Sequence, residues 1–223
     1  MSNQAATDRS ESVEEYLEAL FKAGGAGGEV SVKRLASDLG VARPSVSQML
    51  TRLADAGLVV RGAAGTARLT SQGRVEGARL VRRHRLSERF LADYLDLPWD
   101  VVHDEACRFE HVLSPEVEAR LAEQLGNPRT CPHGQAIPAE DGSVADVAAR
   151  PLTDIPPGGS AVVSLIADED PDLLRYLASL GLLPETSVTV DGVAPFGGPL
   201  LVRVGGSQYA LGREVAARIF VAD

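Results

Sequence analysis

The nine residues HDEACRFEH, at positions 103–111, concentrate side chains that bind metals, since they hold two of the chain's 4 histidines and one of its 2 cysteines. An α-helix turns about 100° per residue, so His103, Cys107, Glu110 and His111 would share one face of about 100°. All four are of metal-ligand type. The spacing therefore predicts that this helix face contributes to a metal site.

Two further pairs have the same character. His84 and Glu88 are one turn apart in a preceding helical stretch, and Glu15 and Glu18 are i, i+3 neighbours in the first helical stretch. Imidazole and carboxylate groups with a single sulfur suit Mn, Fe, Co, Ni or Zn as divalent ions. A structural zinc site would show several cysteines at CxxC spacing, and the sequence has none. The alternative is a polar helix face with a structural histidine.

The remaining metal-ligand types, Cys131 and His133, lie in CPHG within a stretch rich in Pro and Gly, and we interpret them as part of a turn. The sequence has no nucleophile elbow, Walker loop or GxGxxG motif. A metal-dependent hydrolase with an appended DNA-binding domain is a competing hypothesis. It would need an open metal position and a substrate cleft, and no motif indicates either.

A helix-turn-helix precedes these ligands, in SVKRLASDLGVARPSVSQMLTRLADAGLVV. Ser31 can cap the first helix, Gly40 permits the tight turn, Pro44 suits the first turn of the second helix, and Gly57 ends it. The segment LVVRGAAGTARLT then reads as two short strands joined by a glycine-containing turn. This pattern predicts a winged helix-turn-helix that binds double-stranded DNA.

The charge distribution favours the same interpretation. The net charge is −9, yet residues 30–90 hold 12 basic against 4 acidic side chains, and a basic block can bind DNA in an acidic chain. Small apolar groups and Gln can read bases, which makes Ala42, Pro44 and Gln48 candidates for base contacts. The candidates for phosphate contacts are Arg43, Ser45, Ser47, Arg52 and Arg68. The alternative for each is a solvated surface side chain.

The rest of the chain predicts helices over 71–95, 98–111 and 114–126, then a Pro- and Gly-rich segment, then short strands with one helix. The predicted fold is a mostly α N-terminal part with a C-terminal SH3-like small β-barrel. The predicted domains are a winged helix-turn-helix, a helical metal-binding and dimerisation domain, a linker and the SH3-like domain. Their bounds are 1–73, 74–140, 141–159 and 160–223.

Composition excludes several classes. Aromatic residues make up 4% of the chain, which argues against a stacking platform for single-stranded nucleic acid. No apolar run approaches the roughly 20 residues that span a bilayer, and the first residues lack the pattern of a secretory signal. Two distant cysteines do not make a disulfide framework. We therefore expect a cytoplasmic protein with no membrane partner.

The segments VEEYLEALF, RPSVSQMLTRLADAGLVV, LVRRHRLSERFL and VHDEACRFEHVLSPEVEARL resemble the diphtheria toxin repressor family of metal-activated bacterial regulators. The resemblance covers about residues 11–126, and PHGQAIP and LLRYLASLGLLPETSVTV extend it toward the C-terminus. It implies an activating metal site and an ancillary metal site in each subunit. The activating site would consist of Glu15, Glu18, Cys107, Glu110 and His111. The ancillary site would consist of His84, Glu88 and His103, with Asp168 or Glu169 as further candidates.

The resemblance also bears on the metal. The manganese-sensing branch has acids at the positions of Glu15 and Glu18, where the iron-sensing branch has a methionine at the first of them. At the position of Cys107, in contrast, the manganese branch often has a carboxylate. Because hard carboxylates suit Mn²⁺, the sequence favours manganese as the activating metal. Together with this choice, the resemblance implies a homodimeric repressor of metal-uptake genes that binds a palindromic operator and holds two metal ions per subunit. An Fe²⁺-dependent repressor and a metal-free winged-helix regulator are the alternatives.

Overall fold

The structure is a computed structural model that describes residues 11–25, 27–146 and 148–222. These residues form two compact units. The first contains the described residues up to 84 together with 110–112 and 138–144, and the second contains 85–109, 113–137 and the described residues from 145 onward. Residues 1–10 of the predicted domain 1–73 lie outside the described residues, and the predicted domain boundaries stay predictions.

The first unit holds the winged helix-turn-helix. Its elements are α1 (Glu11–Gly24), β1 (Val30–Ser31), α2 (Val32–Asp38), α3 (Arg43–Asp55), β2 (Val59–Arg61) and β3 (Thr66–Leu69). The strands form an antiparallel sheet in the order β1-β3-β2, in which Val59 pairs with Leu69. The predicted helix-turn-helix with its wing is therefore confirmed.

Local sequence explains the helix ends of this motif. The Ser31 hydroxyl accepts a hydrogen bond from the Arg34 amide at 3.1 Å and caps α2, as predicted. Gly40, in the turn between α2 and α3, has a φ of +64°, which glycine adopts without steric cost. Pro44 lies in the first turn of α3, where its missing amide hydrogen has no helical partner. The inner face of the motif is fully buried and includes Leu35, Val46, Leu50 and Leu53.

A long helix, α4 (Ser71–Asp93), begins in the first unit and packs against α1. Gly77 makes this close approach possible, because a Cβ atom there would lie 2.9 Å from the Phe21 Cβ and 3.0 Å from the Leu17 carbonyl oxygen. Leu17, Leu20 and Val81 are buried in the same apolar core. The close contact fixes the polar residues of α1 at a set distance from α4.

In the second unit, α5 (Val102–Phe109) and α6 (Pro115–Gln124) follow. The predicted helix over 98–111 is shorter than expected. Pro98 instead opens a turn, in which its carbonyl accepts from the amide of Val101, and Glu110–Val112 form a single 3₁₀ turn. Ser114 caps α6 by accepting a hydrogen bond from Val117, as predicted.

The C-terminal part is the predicted SH3-like β-structure. Its elements are β4 (Arg150–Pro151), β5 (Ser160–Ile166), α7 (Pro171–Ser179), β6 (Ser187–Val193), β7 (Leu200–Val204), β8 (Ser207–Leu211), α8 (Arg213–Ala216) and β9 (Ile219–Ala222). The sheet order is β4-β9-β5-β6-β7-β8. Inward residues such as Val163, Val190 and Val202 are buried and form its core. Among the described residues, no helix is both long and apolar enough to cross a membrane.

Candidate metal centres and nucleic-acid interface

A buried cluster of two carboxylates and one imidazole lies in the first unit, and we call it the His84 cluster. It consists of Glu18 of α1, His84 of α4 and Glu110 of the 3₁₀ turn, whose ligand atoms all lie within 4.8 Å of one another. The Nδ1 atom of His84 is 2.6 Å from Glu110 Oε2 and 3.8 Å from Glu18 Oε1. Three separate elements thus bring buried metal-ligand atoms together.

The hydrogen bond between His84 and Glu110 fixes the state of the imidazole. A carboxylate accepts, so Nδ1 of His84 donates, and in the neutral ring the lone pair is then on Nε2. Binding of a metal through Nδ1 would displace this hydrogen, because imidazole binds a metal through a lone pair and releases the proton. With the proton released, two carboxylates and an imidazole form a donor set that fits a divalent cation.

The two acids of the cluster are held in different states. Burial acts to raise the pKa of Glu18, but the nearby Lys22 ammonium and His84 outweigh burial and lower this pKa to about 2. Burial raises the pKa of Glu110, although its hydrogen bond with His84 acts in the opposite direction. Glu18 is therefore the more acidic of the two carboxyl groups, and Glu110 takes up a proton more readily.

His111 lies beside this cluster and is held by an acid of α1. Its Nδ1 atom is 2.8 Å from Glu14 Oε2, and its Nε2 atom is 3.7 Å from Glu110 Oε1. Burial acts to lower the pKa of His111, but the hydrogen bond with Glu14 and the charge of Glu110 raise it overall. Glu15, which we expected in this place, is exposed in the structure. A step of one residue turns a helix by about 100°, which accounts for the exchange of Glu15 for Glu14.

A second buried group lies in the second unit, and we call it the Glu88 cluster. It consists of Glu88 of α4 with Cys131 and His133, and its ligand atoms also lie within 4.8 Å of one another. All three residues are buried. Cys131 and His133, which we interpreted only as part of a turn, thus lie close to the buried carboxylate of Glu88.

The orientation of His133 favours a cation in the Glu88 cluster. Its Nε2 atom is 3.0 Å from the Trp99 carbonyl oxygen, which can only accept, so Nε2 carries the hydrogen. In the neutral form of the ring the lone pair would then be on Nδ1, and this atom lies 3.5 Å from Glu88 Oε1. Burial, followed by the charge of Glu88, raises the pKa of the Cys131 thiol well above its usual range. A divalent cation would relieve both conflicts, because it binds lone pairs and stabilises a thiolate.

Several predicted ancillary ligands lie next to the Glu88 cluster. The Nδ1 atom of His103 is 3.3 Å from Glu88 Oε1 and 3.2 Å from Glu169 Oε2. Cys107, predicted for the activating site, has its sulfur 3.8 Å from His103 Nε2. Asp168, the other candidate next to Glu169, instead accepts a hydrogen bond from Arg218 at 2.6 Å.

The predicted DNA contacts are displayed on one motif of the first unit. The exposed candidates are Ala42, Arg43, Pro44, Ser45, Gln48, Arg52 and Arg68. Ser47 is half-buried, and its carbonyl accepts hydrogen bonds from Thr51 at 3.0 Å and from Arg61 at 3.2 Å. Arg61 also donates to the Thr51 hydroxyl at 2.6 Å. Strand β2 of the wing is thereby tied to the recognition helix α3 by a residue that the sequence had not singled out.

Family models match three consecutive parts of the chain. Residues 8–63 match the iron dependent repressor N-terminal DNA binding domain, and residues 70–139 match the iron dependent repressor metal binding and dimerisation domain. Residues 150–223 match the FeoA domain.

Individual proteins are also similar to this chain, and two of the three described here match nearly all of it. The iron-dependent repressor IdeR of Mycobacterium leprae is 34% identical over 226 residues, which cover 96% of this chain and 98% of that protein. The diphtheria toxin repressor of Corynebacterium diphtheriae is 38% identical over 134 residues, which cover 60% of this chain and 59% of that protein. A solved manganese-dependent transcriptional repressor in complex with manganese has a TM-score of 0.87 and 37% identity, and the match covers 95% of this chain and 99% of that one.

Proposed function

Because this chain belongs to the diphtheria toxin repressor family of metal-dependent transcriptional repressors, we propose that Mn²⁺ is its activating metal and that it represses metal-uptake genes as a homodimer. The observation that carries this proposal is the His84 cluster, in which two carboxylates and an imidazole from three elements converge in a buried place. Such a group is costly to bury unless a cation compensates it.

The donor set supports Mn²⁺ over Fe²⁺. The cluster and its neighbour His111 offer only carboxylate oxygens and imidazole nitrogens, and no thioether is among them. Hard oxygen donors suit Mn²⁺, whereas softer donors favour metals later in the series. The similarity to a solved manganese-dependent repressor supports the same choice, while the curated relatives of comparable identity are iron-dependent. An Fe²⁺-dependent repressor is therefore the second candidate.

Helix α1 explains how metal binding would affect the DNA-binding surface. Glu18 would hold the metal from α1, while His84 and Glu110 would hold it from α4 and the 3₁₀ turn. The opposite face of α1 packs into the core that also contains Leu35 and Leu50 of the helix-turn-helix. A bound divalent cation would supply positive charge that removes the repulsion between the two carboxylates. Fixing α1 in this way would fix the helix-turn-helix that rests on it.

We also propose a second metal ion, at the Glu88 cluster. Glu88, Cys131 and His133 would hold it, with His103 and Glu169 as neighbouring donors. Glu88, His103 and Glu169 belong both to this proposal and to the ancillary set inferred from the resemblance, which stays a prediction. The proposal gives two metal ions per subunit.

Two copies of the recognition helix would read a palindromic operator. Successive major grooves on one side of DNA are about 34 Å apart, so a homodimer with two-fold symmetry suits such a site. Ala42, Pro44 and Gln48 would face the bases, and the exposed arginines would contact phosphates. The protein would act in the cytoplasm, where it meets the DNA.

The test is a titration of operator binding against metal. Operator fragments are first selected from a random-sequence library with Mn²⁺-loaded protein, and binding is then followed by fluorescence anisotropy in chelator, Mn²⁺ and anaerobic Fe²⁺. We expect binding to be weak in chelator and to rise about 5–150-fold with metal. Half-maximal binding should occur at a lower free concentration of Mn²⁺ than of Fe²⁺, against the general order in which a given site binds Fe²⁺ more tightly. Equal affinity in all three conditions would refute metal activation. Activation by Fe²⁺ alone would show that iron, and not manganese, is the activating metal.

A further inference from the structure

A lysine reaches into the His84 cluster. The Nζ atom of Lys22 is 3.0 Å from Glu18 Oε1, one helical turn further along α1. Only 8% of Glu18 is exposed, and the side chain of Lys22 is 26% exposed. The pair is therefore largely withdrawn from water and is less screened than an ordinary surface ion pair.

Of the two basic groups whose distances to Glu18 are described, Lys22 lies nearer than His84. From α4, His84 gives its Nδ1 hydrogen to Glu110 at 2.6 Å and is 3.8 Å from Glu18. From the 3₁₀ turn, Glu110 brings a second acid. The Lys22 ammonium thus contacts the same oxygen atom of Glu18, Oε1, that lies nearest to the His84 ring nitrogen.

We propose that the Lys22 ammonium is a built-in counter-ion for Glu18 that stabilises the metal-free protein and competes with the activating metal. This inference rests on the proposed function, in which Glu18 binds the metal. The ammonium and a divalent cation would both seek Glu18 Oε1, and two cations close to one oxygen repel each other. Lys22 therefore sets the metal concentration at which the repressor is activated.

The competition can be measured directly as metal affinity. Mn²⁺ is titrated by calorimetry into the full chain carrying Lys22→Met, which keeps the length of the side chain and removes the charge. We expect a Kd about tenfold lower than that of the wild type, since a charge at this distance in a partly buried place is only partly screened. Lys22→Arg keeps the charge and should leave the Kd near the wild-type value.

The matched control is Lys33→Met. Lys33 is the chain's other lysine, and it is exposed on α2. The control removes the same net charge away from the cluster, so its Kd for Mn²⁺ should equal that of the wild type. If Lys33→Met lowers the Kd as much as Lys22→Met does, the effect comes from net charge and the proposal is wrong.

Thermal unfolding separates this role from an ordinary structural ion pair. Lys22→Met should lower the melting temperature in chelator, because buried Glu18 loses its counter-ion. The deficit should vanish at saturating Mn²⁺, where the metal takes over the charge of Glu18. A deficit of equal size in chelator and in Mn²⁺ would show a purely structural pair and would overturn the proposal.

Glu18→Gln distinguishes the failure of this inference from the failure of the proposed function. If Glu18→Gln weakens Mn²⁺ binding while Lys22→Met leaves the Kd unchanged, Glu18 binds metal but Lys22 does not compete, and only this inference falls. If Glu18→Gln leaves Mn²⁺ binding unchanged, the metal site itself is wrong and both proposals fall.

Discussion

Two histidines of this protein are oriented by hydrogen bonds that determine which nitrogen carries the lone pair. His84 donates from Nδ1 to Glu110, and His133 donates from Nε2 to the Trp99 carbonyl. Partners of this kind fix the tautomer of metal-binding imidazoles in known sites. Cys131 lies in the group with His133 and Glu88, and we propose it as the thiolate ligand of a metal ion there.

Replacement of each cysteine tests that assignment. With Co²⁺ as a spectroscopic probe, the wild type should show thiolate-to-metal charge-transfer absorption, because a metal-bound cysteine is a thiolate. Cys131→Ser should abolish this absorption and reduce the metal content from two ions to one per chain. Cys107→Ser is the matched control and should keep both. The reverse pattern would restore the assignment that the family resemblance implied for Cys107.

The raised pKa of His111 gives a prediction for the metal-free protein. The folded-state pKa lies above the unfolded value, so protonated His111 stabilises the fold at pH values below about 6.5, and this contribution is lost as the pH rises through the folded pKa. Glu14→Gln removes the hydrogen-bonded carboxylate and should reduce the difference in melting temperature, measured in chelator, between pH 5.5 and pH 8.

Glu15→Gln serves as the control for that measurement, because Glu15 is exposed and one residue away. It should leave the pH dependence as in the wild type. If Glu15→Gln has the larger effect, α1 presents Glu15 to the cluster, as the sequence had predicted.

The sequence identified most of the ligand-type residues but not all of their partners. His84, Glu110 and Glu18 could be singled out because helical spacing places acids and histidines on common faces. Glu14 and Glu15 are adjacent acids, and only the packing of Leu17 and Phe21 against α4 decides which of them faces His111. Cys131 and His133 lie in a turn, where no periodicity relates them to Glu88, so their grouping depends on tertiary structure.

The contact between α1 and α4 decides the geometry of the His84 cluster. A Cβ atom at Gly77 would lie 2.9 Å from the Phe21 Cβ. Gly77→Ala should therefore push α1 away from α4, destabilise the metal-free fold by about 1–3 kcal/mol and weaken Mn²⁺ binding. Chemical denaturation and calorimetry measure the two effects.

Gly192→Ala is the control for Gly77→Ala. A Cβ atom at Gly192 would meet nothing within 4 Å, and this glycine lies on β6 of the second unit. Its stability and Mn²⁺ affinity should stay near wild-type values. A Gly77→Ala protein with unchanged stability and affinity would mean that the spacing of the two helices does not control the site.

The recognition helix offers a pair of substitutions with different expected signatures. Gln48 is exposed on α3. If Gln48 reads a base, Gln48→Ala should cost about 1–3 kcal/mol of operator binding free energy and relax the sequence preference at one base pair of the operator. Arg52→Ala should instead weaken binding to all sequences alike and reduce the salt dependence by about one unit. Anisotropy titrations at several salt concentrations distinguish them, and equal behaviour of both variants would contradict the proposed base contact.

The sequence predicted the ends of helices where short-range interactions determine them. The caps of α2 and α6, the proline of α3 and the glycine turns determine helix ends by short-range interactions. Strand β8 has no comparable local signal, because Ser207, Gln208 and Ala210 are exposed and only Leu211 is fully buried, so apolar alternation is weak. Its place in the sheet comes from pairing with β7, such as Val202 with Tyr209, which is a long-range effect.

The whole molecule separates its charges along the chain. Residues 30–90 carry 12 basic and 4 acidic side chains, although the net charge is −9. The basic excess thus lies in the stretch that contains the helix-turn-helix, while the acids lie largely elsewhere. DNA binding by an acidic protein is therefore expected to be local and strongly dependent on salt.

Operator binding by Glu18→Gln as a function of free Mn²⁺ tests the central claim, that metal at the His84 cluster controls DNA binding. The substitution keeps the size of the side chain and removes the charged donor of α1. In chelator, we predict that Glu18→Gln and the wild type bind the operator equally weakly. With Mn²⁺, Glu18→Gln should need at least about tenfold more of the metal than the wild type to reach half-maximal operator binding. A Glu18→Gln protein that binds the operator at the same Mn²⁺ concentration as the wild type would contradict the account.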